Sequence, residues 1–266
     1  MQSNYYSIYP CINIYEQPSI NSKISSQIIY GEKFKVLRKI KNFYKIKTYY
    51  DNYIGYIKKK KFINKINSTH KVKVLKTKIY KSNKFLPFSS EIEILKKKKS
   101  YVMFKKNKWI KQKDIVPINK KEKNFAKVFK SYLNCKYKWG GKTYKGIDCS
   151  ALIQLFYKFN NKFFPRDTID QIKYKKGNSK KKKFEIGDII YWNGHVAVCI
   201  NSKKLIHAYG PKKKVVIMPI EQTIKIIKRT ANLEDKNLRK KLSNSKKVRK
   251  QIIQLKQDIA KPDFGR

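Results

Sequence analysis

The chain has 266 residues, with 66 Lys or Arg against 17 Asp or Glu, so its formal net charge is +49. Hydrophobic residues make up 41% and aromatic residues 14%, which is enough for packed cores and excludes a chain that is disordered by composition. Only six of the 66 basic residues are arginine. Because phosphate backbones are usually gripped by arginine, we attribute much of the charge to an AT-rich coding sequence and expect no main role in nucleic-acid binding.

The first residues, Met1 to Tyr6, contain no basic stretch followed by an apolar run, so no signal peptide is expected. No segment reaches the ~20 apolar residues that span a bilayer. The four cysteines, Cys11, Cys135, Cys149 and Cys199, do not fall into metal-ligand or disulfide spacings. We therefore expect a cytoplasmic protein without metal or cofactor, and an extracytoplasmic location stays open.

Residues 8–118 contain two repeats of short alternating strands with a turn about every ten residues, a pattern typical of small β-barrels. Each repeat resembles a bacterial SH3-like module. The second is the weaker match because it lacks a clear glycine before its last strand. The sequence predicts one SH3-like barrel at residues 1–66 and another at residues 67–118.

A polar, glycine-containing run ends at Gly146, and apolar residues then recur at helical spacing after Asp148. Cys149 should therefore lie on the first turn of a buried helix. The unpaired N–H groups and the positive end of the helix dipole favour a thiolate there, and the thiolate is the nucleophilic form. The alternative is that Cys149 is an inert packed residue.

Two of the three histidines follow in a region of predicted strands. Residues 188–192 and 195–200 are predicted to be strands joined by a tight turn at Asn193 and Gly194, and residues 205–209 a third strand. His195 and His207 would share a face only if the loop between paired residues has odd length, three or five. Alternatively, His195 caps a turn and His207 is a satisfied core histidine.

These motifs together resemble the NlpC-type papain-like cell-wall cysteine peptidases. The resemblance rests on the segment Asp148 to Leu152, on Gly194 to Val198, on His207-Ala208, and on the segment Pro165 to Gln171. Relative to the usual motifs, Ala151 replaces a glycine and Thr168 a serine. The match covers roughly residues 122–230. It implies a papain-like α+β peptidase domain, which we place at residues 119–230.

The resemblance also implies a mechanism. Cys149 attacks the scissile carbonyl, His195 pairs with the thiolate and protonates the departing amine, and His207 orients His195. Members with SH3-like modules before the peptidase domain typically cut the bond between γ-D-Glu and a diamino acid in L-Ala-γ-D-Glu-diamino acid peptides. The expected partner is therefore a peptidoglycan-derived peptide, and the expected role is recycling of cell-wall peptides.

Substrate contacts are expected from residues around these motifs. Asp148 could pair with the free ammonium of the substrate, and an acylated N-terminus would then be rejected. Ser150 and Thr168 could hydrogen-bond the peptide. Arg166 could contact a substrate carboxylate or form an ion pair with Asp167 or Asp170.

In the family, a tyrosine of the first SH3-like module helps to hold the N-terminus of the substrate. Tyr53, within Tyr-x-Gly-Tyr, is our candidate, and Tyr44 and Tyr56 stay open.

Residues 231–266 predict a basic helical tail with no chemistry assigned, and runs of four lysines elsewhere predict solvated turns and helix ends. The predicted architecture is thus α+β: two SH3-like barrels, a papain-like peptidase domain and a charged tail. Two other functions stay open. One is a related thiol amidase or acyltransferase that acts on another amide or ester, and the other is a non-catalytic binding protein that uses its SH3-like modules.

Overall fold

The computed structural model describes residues 4–174, 183–229 and 258–260. The chain divides into two compact units, one formed by Met1–Arg166 with Ala208–Val215 and the other by Asp167–His207 with Val216–Arg266. The first unit contains both strand repeats and the helix that begins at Cys149. The second contains His195 and His207.

The first repeat forms one six-stranded sheet in the order β1-β4-β5-β6-β2-β3. Its strands β1 to β6 are Asn4–Tyr6, Cys11–Tyr15, Ile24–Ile29, Lys33–Ile40, Phe43–Thr48 and Ile54–Lys58. Alternate residues point into a core that includes Ile14, Phe34 and Ile46, all fully buried. Strands β2, β4, β5 and β6 confirm the short alternating strands predicted for this repeat, whereas β1 and β3 carry few regularly alternating apolar residues.

The second repeat is built from shorter strands in three small sheets, ordered β10-β7-β14, β11-β12-β13 and β8-β9. Its strands β7 to β14 are His70–Val72, Lys76–Lys78, Phe85–Pro87, Glu91–Ile92, Lys96–Lys98, Tyr101–Lys105, Lys108–Lys111 and Ile115–Pro117. A 3-10 turn at Gln112–Asp114 precedes the last strand. No sheet closes into a barrel in the part of the chain that the structure describes.

One lysine run departs from its prediction. Lys96–Lys98 form an exposed edge strand, β11, where the sequence suggested a turn. Pairing with β12 supplies its backbone hydrogen bonds, so the charged side chains need no burial.

The segment after the repeats holds two helices and a small hairpin. Helix α1 spans Phe125–Lys130, strands β15 and β16 span Lys142–Thr143 and Gly146–Ile147, and helix α2 spans Cys149–Phe159. Every residue of α2 is buried. This confirms the predicted buried helix that begins at Cys149.

The second unit contains helix α3 and most of a five-stranded sheet in the order β20-β19-β18-β17-β21. Helix α3 is Thr168–Tyr174, and strands β17 to β21 are Ile189–Trp192, His195–Cys199, Lys204–Tyr209, Lys214–Pro219 and Asp258–Ala260. A further helix, α4, covers residues 220–229. Asn193 and Gly194 form the predicted two-residue turn between β17 and β18, with Gly194 at φ +69°.

The predicted helical tail is described at three residues only. Asp258–Ala260 pair antiparallel with β17 as strand β21, so these residues are not helical. The rest of the predicted tail, at 231–257 and 261–266, lies outside the described residues. Sheets and helices together confirm the predicted α+β class with SH3-like strands.

Candidate active site

Cys149 is the first residue of α2, and Asp148 is its N-cap. The Asp148 side chain accepts a hydrogen bond from the backbone N–H of Ala151 at 2.8 Å, as an N-cap carboxylate should. Cys149 is 5% exposed. The nucleophile candidate thus lies where the helix dipole favours an anion.

The Asp148 carboxylate is the centre of a buried hydrogen-bond cluster. Oδ1 accepts from Ala151 N, from Ser150 Oγ at 3.1 Å and from Arg166 Nη1 at 3.1 Å. Oδ2 accepts from Gly140 N at 2.9 Å and from Arg166 Nη2 at 2.6 Å. Arg166 is 3% exposed, so the pair is a bidentate ion pair inside the protein.

This cluster changes how three predicted substrate contacts are interpreted. A carboxylate offers about four lone-pair sites, and the five donors already use them. Arg166 forms its ion pair with Asp148, which the sequence did not suggest, and Arg166 Nη1 also donates to Ser150 Oγ at 2.8 Å. Substrate contacts by Asp148, Ser150 and Arg166 therefore stay predictions, and each would have to share a group that the fold already uses.

The cluster extends into the first repeat through one side chain. Arg166 Nε donates to Ser26 Oγ at 3.0 Å, and Ser26, on β3, is 1% exposed. The hydroxyl of Tyr53 donates to the backbone carbonyl of Ser25, the residue before Ser26, at 3.5 Å. Tyr53 therefore contacts the residue that precedes Ser26, and Ser26 accepts the hydrogen bond from Arg166.

The two alternative tyrosines have other surroundings within the same sheet. Both are half-buried, and a lysine ammonium lies over each ring, Lys59 at 5.7 Å from the centroid of Tyr44 and Lys45 at 6.0 Å from that of Tyr56. Of the three candidates, Tyr53 is the one that contacts the residue beside Ser26, which in turn bonds Arg166.

Buried lysines join the repeats to the nucleophile segment, a feature that the sequence analysis missed. Lys142 Nζ lies 3.1 Å from Glu32, while Lys158 Nζ lies 3.8 Å from Glu32 and 2.6 Å from Glu91. Burial lowers the pKa of Lys158, but the nearby carboxylates of Glu91 and Glu32 outweigh it, and the net shift is upward. Lys158 lies on the apolar helix α2, and a lysine in such a position is the signal in the sequence that could have indicated a buried carboxylate partner.

The two histidines lie on neighbouring strands of the second unit. Cys199 pairs with Leu205 across β18 and β19, so five residues separate them, the odd number that the sequence analysis required for a shared face. His195 Nε2 and His207 Nδ1 are 2.8 Å apart, within hydrogen-bond distance. The two imidazoles are thus brought together by register alone.

The environment of His195 disfavours the charged form of its ring. His207 is 1% exposed and His195 is half-buried beside the Trp192 ring, whose centroid lies 5.7 Å away. Burial lowers the pKa of His195 to about 4. His195 is therefore neutral near pH 7 and able to accept a proton.

Thr168, a predicted substrate contact, is the buried first residue of α3 in the second unit. Tyr137, which the sequence analysis did not select, has a pKa raised by burial and by the neighbouring Cys149 and Asp148. Its position two residues before Trp139 gave no periodic signal that would have identified it.

The described residues contain no cluster of three or more His, Cys, Asp or Glu side chains placed to hold a metal ion. Among the helices of that same part of the chain, none is both long and apolar enough to cross a membrane.

A cysteine at the start of a buried helix, followed in the chain by an antiparallel sheet with two hydrogen-bonded histidines, is the arrangement expected of the thiol peptidases that the sequence resembles. Residues 134–232 match the NlpC/P60 family model, and residues 12–64 match the bacterial SH3 domain model. The chain therefore carries an NlpC/P60 domain and a bacterial SH3 domain. NlpC/P60 peptidases are cysteine-type hydrolases, so the resemblance seen in the sequence is confirmed.

Individual relatives agree with the family matches. The chain is 25% identical over 194 residues to the Gamma-D-glutamyl-L-lysine dipeptidyl-peptidase of Bacillus subtilis (strain 168), over 65% of each protein. It is 33% identical over 92 residues to a Probable endopeptidase NlpC homolog of Haemophilus influenzae, over 33% of this chain and 49% of that one. The matched parts span less than two thirds of each of these curated relatives.

The fold is similar to a solved NlpC/P60 family protein from Bacillus cereus, with a TM-score of 0.71 at 17% identity. The similarity covers 82% of this chain and 94% of the other. At this identity the likeness shows the fold, and it extends well beyond the residues that the NlpC/P60 model matches.

Proposed function

We propose that the chain is a cysteine peptidase that hydrolyses the amide bond between γ-D-Glu and a diamino acid in peptides derived from the bacterial cell wall. The observation that carries the proposal is the 2.8 Å contact between His195 and His207, downstream of a cysteine that begins a buried helix. The NlpC/P60 match and the Bacillus subtilis relative, a γ-D-glutamyl-L-lysine dipeptidyl-peptidase by name, support the choice of bond.

In the proposed reaction the sulfur of Cys149 adds to the scissile carbonyl and forms a tetrahedral intermediate. Backbone N–H groups at the start of α2, including that of Cys149, donate to the oxyanion. The C–N bond then breaks, and His195 gives its proton to the departing amine. Water hydrolyses the thioester and regenerates the thiol.

The low pKa of His195 decides how the thiol would be activated. A ring with a pKa of about 4 holds no proton at pH 7, so His195 takes the thiol proton as a general base when the substrate is attacked. Its Nε2 lies 2.8 Å from His207 Nδ1, and the proposal assigns the thiol proton to Nδ1. His207 then orients the base, a role that aspartate fills in other triads with more stabilisation of the imidazolium.

Recognition of the substrate N-terminus is proposed for the surface around Asp148 and Tyr53. An ammonium that binds Asp148 has to replace one of five existing donors, so selectivity for a free amine would come partly from the tyrosine hydroxyl. Ser150 and Thr168 are proposed to hydrogen-bond the peptide. Arg166 would act mainly by fixing Asp148.

The test uses purified full-length chain with L-Ala-γ-D-Glu-L-Lys and L-Ala-γ-D-Glu-diaminopimelate, each with a free and an acetylated N-terminus. Products are followed by mass spectrometry, with Cys149→Ala and Cys135→Ala as matched variants. We expect release of the diamino acid from the free peptides, loss of release in Cys149→Ala, and retention in Cys135→Ala.

Other outcomes would redirect the proposal. Equal cleavage of acetylated peptides would keep the Cys149, His195 and His207 assignment but remove the role of the substrate ammonium. Cleavage of a different amide or ester would support the related amidase or acyltransferase. No cleavage of any substrate, with Cys149 inert to iodoacetamide, would leave a binding protein that uses its SH3 domain.

A further inference from the structure

Met218 lies against the histidine pair from a neighbouring strand. It belongs to β20, next to β19 in the sheet, and is 4% exposed. Its Sδ is 3.3 Å from His207 Nε2. The three side chains therefore form a row, from Met218 Sδ through the His207 ring to His195 Nε2, within the second unit.

The chemistry of sulfur fixes the direction of the hydrogen bonds along this row. A thioether carries no proton and can only accept, so the proton between Met218 and His207 has to be on His207 Nε2. A neutral imidazole has one N–H, so His207 Nδ1 then carries the lone pair. His195 Nε2, 2.8 Å away, has to be the donor. The single proton of neutral His195 is thereby placed on Nε2, and its Nδ1 carries a lone pair.

We propose that Met218 is a positioning residue whose sulfur holds His207 as the Nε2–H tautomer, so that His195 presents an unprotonated Nδ1 as the catalytic base. This rests on the proposed function, in which His195 takes the thiol proton. With the opposite tautomers, His207 Nδ1–H would donate to His195 Nε2. The one proton of neutral His195 would then be on Nδ1, and a protonated Nδ1 cannot accept the thiol proton.

Met218 could also be only a filler of the core, since methionine commonly fills irregular gaps. Leucine has similar volume and no acceptor, so Met218→Leu separates packing from acceptance. Glutamine has similar length and a stronger acceptor in its amide oxygen, so Met218→Gln should restore what leucine removes. Met103→Leu, a half-buried methionine of β12, is the matched control.

The direct measurement is the tautomer of each ring by long-range ¹H–¹⁵N NMR on protein labelled with ¹⁵N-histidine. The chain has only three histidines, so six ring nitrogens are observed, and His70→Gln and His195→Gln identify them. We expect Nε2–H for both His195 and His207 in the unsubstituted protein. In Met218→Leu the Nδ1–H form of His207 should become the major form, at about two thirds of the population or more, while Met103→Leu leaves all signals in place.

Kinetics give the second readout. We expect kcat on L-Ala-γ-D-Glu-L-Lys to fall about 3- to 10-fold in Met218→Leu with KM unchanged, and to recover in Met218→Gln. An Nδ1–H tautomer of His207 in the unsubstituted protein would overturn the proposal even if Met218→Leu failed to fold. Unchanged tautomers in a folded Met218→Leu variant would overturn it as well.

Failure of this inference and failure of the proposed function look different. If no peptide is cleaved but both rings are Nε2–H and respond to Met218→Leu, the proton arrangement stands and the assigned reaction falls. If peptides are cleaved and the tautomers are reversed, the reaction stands and Met218 has no positioning role.

Discussion

The surroundings of the nucleophile candidate and those of the histidine pair are built on opposite electrostatic principles. Around Asp148, next to Cys149, a buried carboxylate is paired bidentately with Arg166 and accepts hydrogen bonds from backbone N–H groups. Around the histidine pair, burial disfavours the charged form of His195, and the row of side chains ends at the thioether of Met218. The first arrangement fixes a helix terminus, whereas the second keeps an imidazole ready to accept a proton.

The largest effect that this contrast predicts is at Cys149 itself. Replacement by alanine should lower kcat/KM at least about 10³-fold, because the nucleophile is lost. Cys135→Ala should stay near the unsubstituted rate, since burial raises the pKa of that thiol and it donates to Tyr144 O at 3.1 Å. Steady-state kinetics and iodoacetamide labelling near pH 7 check this. Faster labelling of Cys135 than of Cys149 would contradict the helix-start activation.

The next largest effect concerns the buried ion pair. Arg166→Met leaves the Asp148 carboxylate buried without its cation, so the free energy of unfolding should fall by about 3–5 kcal/mol. Lys127→Met breaks the exposed Lys127–Glu122 pair, 3.8 Å apart, and should cost about 0.5 kcal/mol or less. Urea denaturation of both variants measures the difference. Similar values for the two would show that Asp148 does not depend on Arg166.

A third prediction is the pH dependence of the neutral histidine. With the pKa of His195 lowered from 6.5 to about 4, kcat/KM should hold its value down to about pH 5. If the pKa of His195 had its ordinary value of about 6.5, kcat/KM would fall about tenfold by pH 5.5. A pH profile of kcat/KM on the free peptide measures this, and an acid limb near pH 6.5 would contradict the burial effect.

The free energy of unfolding should also depend on His195, and it should fall as the pH falls. Because the folded-state pKa of His195 is depressed, the unfolded chain binds the proton first as pH falls. The stabilisation is therefore complete above about pH 6.5 and is lost between about pH 6.5 and pH 4. His195→Gln should lack this part of the pH dependence when urea midpoints are compared across that range.

The smallest predicted effect tests the link between the SH3-like strands and the Asp148 cluster. Ser26→Ala leaves Arg166 Nε without its buried acceptor and should lower the free energy of unfolding by about 1–3 kcal/mol. Ser25→Ala, whose half-buried hydroxyl donates to Ile14 O at 3.3 Å, is the neighbouring control and should cost about 1 kcal/mol or less. A larger loss at Ser25 than at Ser26 would contradict the assigned link.

Features governed by short stretches of chain could be predicted from the sequence. Helical spacing after Asp148 identified α2 and placed Cys149 in its first turn, and the Asn193-Gly194 turn located β17 and β18. Strands of three residues, such as β1 and β14, were missed because period-2 patterning is weak over so few residues.

By itself the sequence determined the helix-start cysteine, the strand pair with its two histidines and the family resemblance, because each depends on spacing within one element or across one short loop. Only the tertiary structure decided which buried polar side chains are in contact when they lie far apart in the sequence. It paired Asp148 with Arg166, and Lys158 with Glu32 and Glu91. It also placed Met218 beside His207 on the neighbouring strand, a contact for which the sequence carried no signal. The physical reason is that a buried polar group needs a partner, but its sequence does not say which distant group the fold will bring within reach.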